Sequence, residues 1–248
     1  MAKGLPGADS SAPVIPAGIA AATALFGRPP AFWGRYFTSP TTPGTVEYRG
    51  AAESPVLAAA GIRLLPVARQ TRRVGGTRAQ GAADGALNAA DYVETFGADR
   101  LAAQGGQFLV FLDVEGTPAS GSPSLSAAYW AGWAEGLAAE GRARSAGRVT
   151  LLPAAYAPVR DTATWQAISA AAAAGSPCAG AWVARYRFPG CAMTDWDPAV
   201  VTPSVALPCP VLAWQYQEGC CQGAIDCSQT NPGVDADALL LSRLVLPG

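Results

Sequence analysis

The chain has 248 residues, half of them hydrophobic and 14% charged, with a net charge of −1. That balance excludes an intrinsically disordered chain, which pairs low hydrophobicity with high net charge, and it offers no basic surface for nucleic acid. A membrane span is not expected either, because the most apolar candidate, Val14 to Phe26, is shorter than the roughly 18 residues needed and is broken by Pro16 and Gly18.

Residues 1–13 are polar and rich in Gly, Pro and Ser, and read as an N-terminal arm without a signal peptide. The barrel proper is expected over residues 14–248. Short apolar runs then alternate with Ala-rich stretches. The runs that read as buried parallel strands are Val14 to Ala20, Phe32 to Phe37, Ile62 to Ala68, Gln107 to Asp113, Val149 to Tyr156, Gly180 to Tyr186 and Pro210 to Tyr216, with a short eighth from Gly223 to Asp226. Helices are expected between them. Ala82 to Phe96 ends at Gly97. A second, capped by Ser124 or Ser126, presents Tyr129, Trp130, Trp133 and Leu137 on one face. Two more open at Asp161 or Thr162 and at Asp235 or Asp237. Strand–helix alternation along a whole chain of this length predicts a single (β/α)8 TIM-type barrel. No G-x-G-x-x-G follows the first run to favour an open dinucleotide-binding sheet.

In such a barrel the chemistry sits at the C-terminal strand ends. The fourth run delivers Asp113 and Glu115 at its end. Their i, i+2 spacing puts both on one face, with Cβ atoms roughly 6–7 Å apart from two strand rises. Two acids that close suppress each other's ionisation, so one pKa should rise. A raised acid beside an ionised partner is the arrangement that glycoside hydrolysis uses. Other strand ends carry Arg35 and Tyr36, Tyr156, Trp182 with Arg185 and Tyr186, Trp214-Gln215-Tyr216, and Asp226. Aromatic faces that stack on sugar rings and fixed polar groups that orient hydroxyls suit a carbohydrate cleft. Trp130, Trp133 and Trp165 lie on helices and are read as packing. The chain has no His, which excludes His-based acid/base chemistry and any Ser–His or Cys–His nucleophile.

The order Asp113-Val-Glu115, Ala213-Trp214-Gln215-Tyr216, Gly223-Ala-Ile-Asp226 resembles the family-25 glycoside hydrolases, the muramidase-type lysozymes. The run from Asp84 through Gly97 to Asp113 is similar to a related glycoside-hydrolase-like domain of actinobacteria and phages. The resemblance implies an enzyme that needs no cofactor and acts on peptidoglycan or a similar amino-sugar polymer. Glu115 would be general acid/base. Asp113 would stabilise the oxocarbenium-like transition state or position the attacking N-acetyl group, and Asp226 would assist. Tyr156, Trp214 and Tyr216 would line the sugar site. Both families place an Asp at the end of the first strand in a pattern like G-F/V-D. Here the matching run, Gly18-Ile19-Ala20, ends in alanine. That departure, with the polar arm and the Cys-stapled late loops, supports an alternative: a catalytically inactive barrel serving as a carbohydrate-binding or structural part of a particle, whose arm reaches other subunits.

The six cysteines, Cys178, Cys191, Cys209, Cys220, Cys221 and Cys227, all fall late in the chain. An even, clustered set predicts two or three disulfides stapling the late loops, and hence an extracellular, cell-envelope or particle setting. Without His or paired C-x-x-C knuckles, no metal site is expected.

Overall fold

The computed structural model describes residues 2–38, 47–69, 72–115, 122–186 and 190–248. The strands are β1 (Pro6–Asp9), β2 (Phe32–Thr38), β3 (Arg63–Arg69), β4 (Gln107–Asp113), β5 (Thr150–Pro158), β6 (Ala181–Ala184), β7 (Val211–Gly219) and β8 (Ile225–Thr230). They close into one barrel in sequence order. Outside lie α1 (Pro16–Phe26), α2 (Gly50–Ala59), α3 (Arg78–Phe96), α4 (Ala98–Ala103), α5 (Ala127–Arg144) and α6 (Thr162–Ala173). The single turns α7 (Pro198–Val201), α8 (Cys220–Gly223) and α9 (Ala236–Leu239) decorate the late half. The expected TIM-type barrel is thus the architecture found.

Three features depart from the expectation. The first strand is Pro6–Asp9, not Val14 to Ala20, so the N-terminal segment is barrel wall and not an arm. β1 pairs in parallel with β2 and is buried at all four residues. Flanking it, the Gly4 and Leu5 amides donate to the Gln229 and Thr230 side chains, each at 2.9 Å. Gly7 explains why so poor a strand former serves here: a Cβ would lie 2.1 Å from the Phe32 ring. The apolar run that follows is helix α1 for equally local reasons. Pro16 stands in its first turn, alanine fills its interior, and Gly27 closes it in the left-handed region at φ 75°.

The second departure is strand direction. β8 runs antiparallel to both β7 and β1. The turn between β7 and β8 is tight and is built on left-handed Gly219, Cys221 and Gln222. Asp226 therefore stands near the start of its strand. The reversal still brings it to the mouth formed by the C-terminal ends of β1–β7.

The third concerns Arg35. Along β2, Phe32 packs into the barrel interior while Trp33 and Phe37 pack into the layer between sheet and helices. Arg35 shares the face of Trp33 and Phe37. It is fully buried and paired with Glu53 of α2, Nε to Oε2, at 2.7 Å. Glu53 also accepts from the Val14 and Arg49 amides, each at 2.8 Å, and Arg35 Nη1 donates to the Ser10 carbonyl at 2.8 Å. A buried charge survives only when so satisfied. Arg35 is thus a clamp on the chain just beyond Asp9, and not a substrate contact.

The helical expectations fare better. Ser126 caps α5, Asp161 caps α6 and Asp235 caps α9, each accepting from a first-turn amide. Trp130, Trp133 and Trp165 are fully buried. α3 and α5 are tied by Tyr129 Oη donating to Asp84 at 2.8 Å and Trp133 Nε1 donating to Asn88 at 3.0 Å.

Cys191 and Cys220 form a disulfide that fastens the loop after β6 to the β7–β8 turn. Cys178, Cys209, Cys221 and Cys227 are unbonded, so one bridge stands where two or three were expected; the Cys178 and Cys209 sulfurs, 2.8 Å apart, are close enough to form a second. Alkylation of denatured, unreduced protein grown under oxidising conditions is expected to label two thiols, Cys221 and Cys227. Four labels would leave Cys191–Cys220 as the only bridge.

Candidate active site

Strand alternation decides which side chains meet. On β4, Leu109 and Phe111 face the barrel interior, and Asp113 follows on the same face. Glu115 stands two residues further along, past the strand end. Both line one cavity of about 70 Å³ at the barrel mouth. Asp226 lines it from β8, as do Tyr36, Tyr156, Trp182, Tyr186 and Gln215. Of the residues that the sequence singled out, these eight come together.

Four others do not enter the cavity. Arg35 is the clamp described above. Trp214 and Tyr216 alternate with Gln215 on β7 and face the outer layer, where Trp214 meets Tyr216 edge-on at 5.8 Å and Trp196 at 6.0 Å. Trp214 Nε1 donates to the Arg185 carbonyl at 3.0 Å, tying β7 to the chain just after β6. Arg185 lies outside the cavity, in the wall of an adjoining groove.

The cavity also holds residues that the sequence reading missed, chief among them Asp9. It ends β1 in the run Gly7-Ala8-Asp9, which is itself a G-x-D pattern. The signal was present but sat in a segment read as an arm. Asp9 is the cross-strand partner of Asp226, and such antiparallel partners have Cα atoms about 4.5–5.5 Å apart. Gly34 of β2 makes the room, because a Cβ there would lie 2.7 Å from the Asp9 Cβ. Glu218 is a fifth acid at the rim. Arg69, at the end of β3, lies with its guanidinium 5.0 Å from the Tyr36 ring centroid.

Asp9 is held by a polar relay. Gln215 Nε2 donates to both Asp9 oxygens at 3.0 Å. Gln215 Oε1 accepts from Tyr156 Oη at 2.5 Å and from Tyr186 Oη at 2.7 Å. The two tyrosines thereby fix which end of the amide faces the carboxylate. Trp182 closes the floor, with its ring centroid 4.5 Å from that of Tyr156 and its Nε1 donating to Ser228 Oγ at 3.2 Å.

The electrostatics follow from acids gathered out of water. Burial, then the Asp226 charge, pushes the Asp9 carboxyl well above the usual range, against the Gln215 amide and with Glu115 adding to the rise. Burial likewise raises Glu115, where Arg69 opposes the shift and Asp226 and Glu218 reinforce it. Asp226 is raised by burial, opposed by the Gly219 amide, which donates to it at 2.7 Å, and reinforced by Glu218. Glu115 is thus a carboxyl that retains its proton above the usual carboxylate range.

Stability should depend on pH in consequence. An unfolded Asp or Glu titrates near pH 4. Folded carboxyls with raised pKa bind more protons than the unfolded chain above that point, so their contribution falls as pH rises through the raised values. Thermal midpoints are expected to decline from about pH 4.5 toward 7, and Glu115→Gln should flatten the decline. Identical slopes for the two proteins would contradict the raised Glu115.

Among the described residues, the one group of three or more candidate metal ligands is Cys191, Cys220 and Cys227. Two of those sulfurs are already joined to each other. No helix among the described residues is long and apolar enough to cross a membrane.

No family model matches the sequence, and no curated protein matches it. Solved structures do match in fold. An uncharacterized B. stearothermophilus protein is 23% identical with TM-score 0.68, over 98% of this chain and 100% of that one. The muramidase from Trichobolus zukalii is 14% identical with TM-score 0.52, over 96% and 99%. The modular autolysin LytC from Streptococcus pneumoniae, in complex with a synthetic peptidoglycan ligand, is 14% identical with TM-score 0.53, over 92% of this chain and 46% of that one. The barrel shares its fold with these structures. At these identities the likeness is one of fold, and the assignment of chemistry rests on the site.

Proposed function

We propose that this chain is a glycoside hydrolase that cleaves peptidoglycan or a similar amino-sugar polymer. The observation that carries the reading is the convergence of Asp9, Asp113, Glu115 and Asp226 on one aromatic-walled cavity. Glu115, with its raised pKa, is the general acid. It donates its proton to the glycosidic oxygen as the C–O bond breaks, and later takes one from the incoming water. Asp113 stabilises the positive charge that develops on the sugar ring, or positions an N-acetyl group that attacks it. Asp226 assists from the opposite wall. Asp9 supplies the first-strand carboxylate, held by Gln215, Tyr156 and Tyr186. Fixed charge aimed at a developing oxocarbenium is the kind of preorganisation that contributes most to such rates.

The inactive-barrel reading rested on an alanine in the first-strand position, on a polar arm and on Cys-stapled late loops. Asp9 and the pairing of β1 weaken the first two supports, while the Cys191–Cys220 staple is compatible with either reading. Release of soluble muropeptides and new reducing ends from purified peptidoglycan tests the proposal. No release from peptidoglycans of several sources would transfer the assignment to a binding or structural barrel.

A further inference from the structure

β7 and β8 are joined by a tight turn, so only the single turn α8 stands where a covering helix would. A strap covers their outer face instead, residues 190–197 after β6. Trp196 packs edge-on against Trp214 at 6.0 Å. The Thr194 carbonyl accepts from Gln229 Nε2 at 3.0 Å, and the Trp196 amide donates to the Ala2 carbonyl at 3.0 Å. The near end of the strap is fastened to the turn by Cys191–Cys220.

Beneath that buckle lies a third sulfur. Strand alternation sends Asp226 into the cavity and Cys227, the next residue, into the outer layer, where it is fully buried. The sulfurs of Cys191, Cys220 and Cys227 all lie within 4.8 Å of one another. With two of the three bonded together, a cation would meet a single thiol, and a thiolate metal site needs more ligands than that. A thiol held against a disulfide has a different chemistry open to it, which is exchange.

We propose that Cys227 is a resident exchange thiol that takes over the Cys191–Cys220 bridge, so that the strap has a fastened and a released covalent form. The deprotonated Cys227 Sγ attacks Cys220 Sγ. A Cys220–Cys227 bond forms, the Cys191–Cys220 bond breaks, and its electron pair leaves on Cys191, which takes up a proton. No oxidant or reductant is consumed. Cys220 is the expected target because it shares a hairpin with Cys227: Cys220 bridges to Ile225, and Cys227 faces Gln217. The new loop is shorter than the existing one, which spans 29 positions, and shorter loops cost less to close. Burial, then the Cys221, Asp9 and Asp226 charges, pushes the Cys227 thiol up to about 12, against the Tyr216 hydroxyl. Exchange is therefore slow at neutral pH and quickens as the thiolate fraction grows.

The test is disulfide mapping in a Cys221→Ser background, which leaves Cys227 the one unbonded sulfur of the hairpin. Folded, unreduced protein is held at values from about pH 6 to about pH 9, quenched in acid denaturant, labelled with a maleimide and digested at low pH. Label is expected to move from Cys227 to Cys191 as a Cys220–Cys227 peptide appears, at a rate rising about tenfold per pH unit, as for a thiol that titrates well above the range. With Cys227→Ser added, Cys191 should gain no label at any pH. Release should also shift tryptophan emission to the red as Trp196 leaves Trp214, and Trp196→Phe should remove that shift. Label confined to Cys227 throughout overturns the proposal, as does label on Cys191 that persists in Cys227→Ser. A Cys191–Cys227 bridge with label on Cys220 overturns it as well, because the strap would then stay fastened.

Discussion

Glu115→Gln is expected to lower glycan cleavage by about 10²–10⁴-fold, the usual worth of a positioned general acid, with little loss of thermal stability. The substitution keeps the shape of the side chain and removes only its transferable proton. Because burial raises the Glu115 carboxyl, wild-type activity should persist above the usual carboxylate range and then fall as pH climbs through the raised value. The measurement is the release rate of reducing ends across pH, alongside an unfolding scan of the variant. A variant with near-wild-type rate would move the acid's role to another of the clustered carboxyls, with Asp226 the first to substitute. A variant that loses activity and tens of degrees of stability would reveal a structural Glu115.

The largest stability effect should come from Glu53→Ala. Arg35 and Glu53 are both fully buried, and two Arg35 nitrogens, Nε and Nη2, reach the Glu53 oxygens at 2.7 and 3.2 Å. Removing the acid strands a buried guanidinium and frees the Val14 and Arg49 amides. Breaking such a pair from one side costs about 3–5 kcal/mol, which in a domain of this size lowers the thermal midpoint by roughly 10 °C. The paired change Arg35→Met with Glu53→Leu should recover much of the loss, since the penalty lies in the orphaned charge. A cost below about 1 kcal/mol for Glu53→Ala would mean that water reaches Arg35. Activity should suffer in Glu53→Ala as well, because the clamp holds the Ser10 carbonyl next to Asp9.

What the sequence disclosed, and what it hid, has a physical pattern. β4 was legible because five consecutive apolar residues followed by two acids can hardly be anything but a buried strand reaching a mouth. The caps Ser126, Asp161 and Asp235 were legible because their side chains satisfy orphan amides locally. β1 was hidden because Pro6-Gly7-Ala8-Asp9 carries no β-propensity; its place is set by the close approach of Phe32 and by bonds to β8. With β1 hidden, Asp9 gives no signal, and the run Val14 to Ala20 reads as the first strand where the helix Pro16–Phe26 stands. Composition does not encode strand direction, so the reversal of β8 escaped notice. The strand-end rule grouped Trp214, Gln215 and Tyr216 together, where alternation sends only Gln215 inward. Arg35 looked available because Glu53, its partner, lies on another element.

The seam between β1 and β8 has a consequence for how the molecule comes into being. The Gly4 amide bonds the side chain of Gln229, 225 positions away in sequence, and Asp9 faces Asp226 across the same seam. The crowded carboxyls therefore meet only when the two edges of the sheet find each other. The cluster, and the raised pKa values that depend on it, exist only once β1 and β8 are paired and the barrel is closed. Trimming the first thirteen residues as a dispensable leader would remove β1 and prevent that closure, leaving two raw sheet edges exposed and ready to pair with other copies.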